Sequence, residues 1–270
     1  MEPSPSHGIS IIVPYYRGKK FIECTISSLE SSLSKTTLDY EIIILNDDAE
    51  EDITDLSRQF INLKVVVNDE NLGIANNRNK GMALSKYDYL YFIDQDDWVE
   101  PEFFPTVEAQ IKKGYDIIVF NFYNVGDLAR VNYKGIFGFF FDHLIDAVFL
   151  LKYGNYFRTI GQAVFKKSAI TNFIATKTFG SDDFFMFVDV FYRKKTLNMK
   201  YIATPLMNYR FHENNSGKVT DFIRSSEECF DIFTQDKNDL HTYRIYLANK
   251  GKMHRFIRKR LQKLLTHKKK

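Results

Sequence analysis

Cysteine is scarce: Cys24 and Cys229 are the only two in 270 residues. Two thiols cannot build a disulfide framework or a cysteine-only zinc site, so nothing demands an oxidising compartment. Proline and glycine number only 6 and 13, which excludes collagen-like and linker-like chains. No run of 18 apolar residues occurs. The nearest, residues 136–151, is broken by Asp142, His143 and Asp146, so a membrane-crossing helix is not expected. Residues 1–8 are polar and the apolar run 9–13 is too short for a secretion signal, so the expected location is the cytoplasm. The glycine-rich phosphate cradles of dehydrogenases and P-loop enzymes are missing. Acid is absent after Asp239, where residues 240–270 hold 11 Lys/Arg. The remainder holds 26 basic against 34 acidic residues, so an acidic body carries a basic tail.

What is present is aromatic and periodic. With 25 Phe and 16 Tyr in a composition 44% hydrophobic, the chain can bury a core. Residues 9–13, 41–45, 63–67, 89–93 and 117–120 are short apolar runs that read as strands. Between them, residues 19–33, 51–60, 74–85 and 101–113 have helical spacing. This alternation predicts an α/β fold, a mainly parallel sheet with helices on both faces. Further on, residues 124–141 predict a loop or hairpin. Residues 142–151, 166–173, 182–193 and 222–233 predict helices, and 163–165, 199–203 and 207–211 predict short strands.

Chemistry gathers at the strand ends. Residues 87–97, YDYLYFIDQDD, form a strand ending in Asp94, Asp96 and Asp97. Ligands of open α/β sheets collect beyond the carboxyl ends of strands. Three acids there repel one another unless a cation or ligand neutralises them, and Mg2+ or Mn2+ suits hard oxygen donors. A solvated acidic turn is the plain alternative. Residues 42–48, IIILNDD, end a second strand in Asn46, Asp47 and Asp48, which could accept from a base or ribose or could simply turn the chain. The first strand ends in Pro14, Tyr15 and Tyr16, where a tyrosine could stack on a base or pack half-buried. Residues 71–81, NLGIANNRNKG, give a glycine turn and a helix whose Arg78 or Lys80 could reach a diphosphate.

Taken in order, the segments SIIVPYY (10–16), EIIILNDD (41–48), NLGIANNRNKG (71–81) and FIDQDDW (92–98) resemble glycosyltransferase family 2. The resemblance is dense over residues 9–105 and continues thinly to about 216, through Gly180–Asp183 and YRFH (209–212). It implies the GT-A, Rossmann-like fold and an inverting transfer from a nucleotide-sugar donor, usually UDP-linked, assisted by Mn2+ or Mg2+. By the same resemblance Pro14, Tyr16, Asp47, Arg78 and Asp94 serve the nucleotide. Asp96 is the direct metal ligand, with Asp94 and His212 beside it. Asp183 or Asp182 is the base that takes the acceptor's proton. Apart from the resemblance, Trp98 follows the acidic cluster directly and could stack on a sugar as an acceptor-side wall or simply pack. Three positions depart from the family's usual pattern: Arg17 after Tyr16, Asp48-Ala49 after Asp47, and Ser181-Asp182-Asp183 where Glu-Asp is common.

The expected organisation is a transferase domain over residues 1–219, with a nucleotide-binding half (1–121) and an acceptor-side half (122–219). A helical, basic extension over 220–270 follows. Within it, residues 253–265 carry apolar side chains at three- and four-residue spacing among cations. That pattern predicts contact of residues 250–270 with an anionic membrane surface at its inner face. Nucleic acid is disfavoured, because the body is acidic. The expected acceptor is a glycan or lipid-linked glycan of surface-polysaccharide or lipopolysaccharide synthesis. Two rival readings are a sugar-nucleotide nucleotidyltransferase and a glycan- or lipid-binding protein that keeps the fold without turnover.

Overall fold

The computed structural model describes residues 8–126, 129–132, 146–153, 157, 159–178, 180–193, 196–212 and 219–237. Four parallel strands begin the sheet: β1 (Gly8–Tyr15), β2 (Asp39–Asn46), β3 (Leu63–Val67) and β4 (Tyr89–Phe92). The helices α1 (Lys19–Leu33), α2 (Leu56–Gln59) and α3 (Ile74–Leu84) make their crossovers. The chain then forms β5 (Trp98–Val99), α4 (Phe103–Ile111), β6 (Ile117–Gly126), β7 (Ala129–Asn132), α5 (Ala147–Tyr153) and β8 (Ala163–Lys166). The described residues continue with α6 (Asp182–Tyr192), β9 (Met199–Arg210) and α7 (Val219–Lys237). One sheet runs in the order β3-β2-β1-β4-β8-β6-β9-β5, with β7 paired to β6. β8 is antiparallel to both β4 and β6, and β9 runs parallel to β6.

Both faces of the central strands are buried, which is why they read as unbroken apolar runs rather than as alternating ones. Ile11, Val13, Ile42 and Ile44 pack toward α1 and α4. Ile12, Ile43 and Leu45 share the opposite core with α3, α5, α6 and α7. Helix α3 lies so close to the sheet that a Cβ on Gly81 would stand 2.4 Å from Ile12. Pro14 sits in β1 opposite Leu45, two residues past the point where β1 stops pairing with β4. Its missing N–H therefore leaves no gap in that ladder.

Several expectations are corrected. Residues 51–60 hold only the single turn α2; before it, Asp52 accepts from the amide and hydroxyl of Thr54, which holds the chain in a local turn. Residues 166–173 are not a helix: β8 extends to Lys166, a 3-10 turn follows at Lys167–Ala169, and the chain then runs irregularly. The two short strands expected at 199–203 and 207–211 are one strand, β9, joined across a bulge opposite Asn121. Helix α7 begins at the expected boundary of 219/220. Cys229, Phe230 and Phe233 of α7 belong to the same core as Phe184 and Phe185. The basic helix expected at 253–265 lies outside the described residues, as does most of 124–141 beyond the β6–β7 pair. Among the described residues no helix is long and apolar enough to cross a membrane.

Candidate active site

The acidic turn hangs from the carboxyl end of β4. Ile93 still donates to Ile12, and the chain then closes a turn in which the Asp97 amide donates to the Asp94 carbonyl at 3.1 Å. The Thr25 hydroxyl of α1 fixes it from below, 2.7 and 2.8 Å from the carbonyl oxygens of Gln95 and Asp97. The three acids have different surroundings. Asp97 is buried and accepts from the Arg210 amide at 2.8 Å, with its second oxygen enclosed and unpartnered. Burial, then the charges of Asp96 and Asp94, push its carboxyl well above the usual range. Asp96 meets His212 at 2.7 Å, Oδ2 to Nε2. Burial and Asp94 raise its carboxyl, while His212 pulls it back. Asp94 faces elsewhere, toward Arg78 and Thr159.

Arg78 is the centre of the site. One nitrogen donates to Asp182 at 2.5 Å and another to Asp94 at 2.8 Å, and the guanidinium lies 5.4 Å over the Phe173 ring. Its side chain is only 4% exposed. Burial pulls an arginine toward neutrality, but the charges of Asp182 and Asp94 outweigh it, so Arg78 stays firmly cationic. The Thr159 hydroxyl lies 3.2 Å from the other Asp94 oxygen. Arg78 therefore bolts the acidic turn of the first half to the start of α6 in the second.

Asp182 and Asp183 open α6 side by side but not alike. Asp182 is buried against Arg78. Asp183 accepts from the neighbouring Phe184 amide at 2.6 Å and is in no ion pair among the described residues. Burial and the Asp182 charge raise the Asp183 carboxyl to about 7, although Arg78 draws it down. A carboxylate in that range can both hold and release a proton near neutrality.

The far end of the crevice is open. Tyr16 is 44% exposed. The side-chain amide of Gln95 grips its backbone twice, accepting from the Tyr16 amide and donating to its carbonyl, each at 2.9 Å. Arg17 has φ of 51°, uncommon outside glycine. Its guanidinium lies 5.0 Å over the Tyr16 ring and donates to Asp48 at 2.7 Å. The departures at Arg17 and Asp48 are thus partners. Asp47, by contrast, faces inward. It is buried and accepts from Asn68 and from the Leu72 and Gly73 amides, each at 2.8 Å. It fastens the turn at Gly73, whose φ of 76° and ψ of 164° suit glycine alone.

The sequence-predicted residues therefore fall into two groups. Asp94, Asp96, His212, Arg78, Asp182 and Asp183 converge around the end of β4. Tyr16 lies at the β1–β2 end, with Pro14 and Asp47 built into the scaffold beneath it. Trp98, half-buried, carries the Arg210 guanidinium 4.4 Å over its ring. Arg210 also covers Phe21 at 5.1 Å, and Phe21 stacks on His212 at 4.9 Å. The residues that sequence reasoning missed are Gln95, Thr25, Thr159 and Arg210. Gln95 was hidden as the middle letter of D-Q-D, and Arg210 stood unassigned inside YRFH. Thr159 carries no local signal. For a divalent ion, Asp96 and His212 are spaced as neighbouring ligands would be, since bonds of 2.0–2.1 Å at right angles put donors about 3 Å apart. No group of three His, Cys, Asp or Glu gathers as a metal cage among the described residues. The donor set thus fits an ion that takes its remaining ligands from phosphate and water, as Mg2+ commonly does.

The model of glycosyl transferase family 2 matches residues 10–173, more than half of the chain. EpsH of Bacillus subtilis (strain 168), named as a glycosyltransferase, is 27% identical over 255 residues, covering 87% of this chain and 72% of that protein. The glycosyltransferase GlyG of Streptococcus pneumoniae serotype 4 is 31% identical over 122 residues, 43% of this chain and 39% of its own. Among solved structures, residues 1–349 of S. aureus TarS in complex with UDP-GlcNAc superpose with a TM-score of 0.65 at 16% identity, covering 88% of this chain and 70% of that one. That likeness shows the fold. By the family match over its strands and acidic turn, the chain belongs to glycosyltransferase family 2.

Proposed function

We propose that this glycosyltransferase moves a sugar from a UDP-linked donor to a glycan or lipid-linked glycan hydroxyl, with inversion at the transferred carbon and with Asp183 as the base. The observation that carries the assignment is the Arg78 fork. Because Arg78 neutralises Asp182, the two acids at the start of α6 are no longer equivalent. Asp182 is a fixed counter-ion and Asp183 is the carboxylate left to take a proton. An acceptor hydroxyl is a weak nucleophile, and a base in reach of its proton contributes about 10²–10⁴-fold. One base suffices for one displacement, and one displacement inverts the centre.

Asp96 and His212 would hold Mn2+ or Mg2+, with Asp94 in the adjoining shell. A divalent ion there supplies positive charge for the departing diphosphate. Tyr16 offers the nucleobase an exposed ring whose backbone Gln95 immobilises. Trp98 and its neighbours border the acceptor side. A role in surface-glycan synthesis rests on the family resemblance of the four sequence segments. Membrane contact through residues 250–270 is supported by their basic, amphipathic pattern alone.

Calorimetric titration of UDP with and without Mn2+, repeated on Asp96→Ala, tests the donor site. Binding that needs the metal and vanishes in the variant is the expected result. Binding of equal strength in all four conditions would end the metal assignment. Absence of UDP binding throughout would end the UDP assignment. Release of pyrophosphate instead of UDP during turnover would identify a nucleotidyltransferase.

A further inference from the structure

The family match ends at residue 173, before the loop that leads into Asp182 and Asp183. That loop, from Ile174 to Ser181, has no regular backbone pairing where it is described, so its donors need partners from elsewhere. Helix α7 provides them. Glu228 accepts from the Lys177 amide at 2.9 Å and from the Thr178 hydroxyl at 3.2 Å, one with each carboxylate oxygen. The hydroxyls of Ser225 and Thr176 lie 3.3 Å apart, and those of Ser226 and Ser181 lie 2.7 Å apart. Ser181 stands at the N-cap of α6, yet its hydroxyl caps no amide of its own helix and turns to α7. Ser225 and Ser226 are fully buried. One turn further on, Phe230 and Phe233 pack against Phe185, at 6.4 and 6.0 Å between ring centres.

We infer that α7 is the brace that sets where Asp182 and Asp183 stand, with Glu228 and Ser226 as positioning residues for the reaction. The inference rests on the reading of Asp183 as the base. Among the described residues Asp183 is held by the Phe184 amide and by no ion pair, so its place is inherited from the start of α6. That start is fixed from two sides, by Arg78 at Asp182 and by α7 at Ser181. Glu228 freezes the backbone immediately before it. Displacements of about 1 Å at a reacting group cost on the order of 10²-fold in rate. A brace of this kind acts on turnover and leaves the donor site, built on β1, β2 and β4, alone.

The test uses the full chain carrying Glu228→Ala, Glu228→Gln, Ser226→Ala or Asp183→Asn. UDP release from UDP-GlcNAc gives kcat and KM, calorimetry gives UDP affinity, and hydrogen exchange reads the amides of 176–184. Glu228→Ala is expected to lower kcat by about 10–100-fold with KM and UDP affinity within about twofold. Exchange should rise across 176–184 and stay unchanged in α3 and β4. Glu228→Gln keeps one acceptor oxygen and should recover part of kcat, which general loss of folding would not allow. A kcat within twofold of the parent in both Glu228→Ala and Ser226→Ala would overturn the brace. So would unchanged exchange at 176–184, which decides alone if the parent releases no UDP from UDP-GlcNAc. Turnover that survives Asp183→Asn sinks the base assignment instead, and the exchange result still reports on the brace.

Discussion

Two arginine–aspartate contacts stand at opposite ends of one crevice, and they do different work. Arg78 with Asp182 is shut away, its side chains 4% and 8% exposed, and it joins the two halves of the fold. Arg17 with Asp48 is open on the arginine's side, whose side chain is 63% exposed against 10% for the aspartate, and it joins neighbouring loops beyond β1 and β2. The chemistry of the pair is the same, so the difference is solvent. A buried charge left alone has no water to fall back on, whereas an exposed one does. The inner pair therefore dictates architecture and the outer pair decorates it.

Removing the inner cation is the harshest way to test that contrast. Arg78→Met leaves Asp94 and Asp182 without their shared counter-ion. Breaking a buried ion pair on one side costs about 3–5 kcal/mol, so urea unfolding should show a loss of that order. Arg78→Lys should recover little, because an ammonium is a point charge and cannot reproduce the two-pronged grip. A loss under about 1 kcal/mol in Arg78→Met would show that the site relaxes around the missing charge, and the contrast between the two ends would fail.

Asp183 comes next, with an effect on rate rather than stability. Asp183→Asn should lower turnover by about 10²–10⁴-fold with UDP affinity unchanged. In the parent, activity should rise with pH through about 7 as the carboxylate forms, and that limb should vanish in the variant. The same raised value has a sign for stability. The folded protein holds this proton more tightly than the unfolded chain, so the contribution of Asp183 is fully present below the ordinary carboxylate range and is lost as pH climbs toward 7. Asp183→Asn should therefore unfold at a higher temperature than the parent at pH 8 and show no such gain at pH 4. Equal melting at both values would mean the carboxyl is not perturbed.

How much of this was legible beforehand follows from what each feature depends on. The strands β1, β2 and β4 could be read because burial on both faces leaves their central residues almost wholly apolar. Helix α1 could be read residue for residue from its spacing. The acidic turn was visible as three aspartates in four positions. Their separate fates were not, because those depend on contacts more than 60 residues away in sequence: Thr159 for Asp94, His212 for Asp96 and Arg210 for Asp97. The region 166–173 misled because its apolar residues serve a packed, irregular segment rather than a helix face. Arg78 looked like a surface cation near phosphate, since nothing in its own helix reveals that Asp182, 104 residues on, is waiting for it. Asp182 and Asp183 could not be told apart for the same reason.

Between the two extremes lies Gln95. Its side chain is committed to the Tyr16 backbone, so Gln95→Ala should loosen the ring without unfolding anything. UDP affinity should drop by about 3–10-fold, as expected for one or two neutral hydrogen bonds, with melting unchanged within about 2 °C. Unchanged UDP affinity would place the base somewhere other than Tyr16.

The smallest effect belongs to the outer pair. Arg17→Ala removes an ion pair that water already screens, and the guanidinium also leaves the Tyr16 ring. Melting should move by about 1 °C or less, and any difference at low salt should shrink when salt is raised, because exposed pairs are screened over about a Debye length. One contribution could enlarge it: at φ of 51°, Arg17 holds a backbone shape that side-chain-bearing residues seldom adopt. Arg17→Gly separates the two, since glycine takes that shape without strain while discarding the same guanidinium. If Arg17→Gly is as stable as the parent or better and Arg17→Ala is slightly worse, the loop's stability lies in its backbone and the ion pair adds almost nothing. If both lose several degrees, and the loss persists in salt, the outer pair is structural after all, and burial is not what separates the two ends of the crevice.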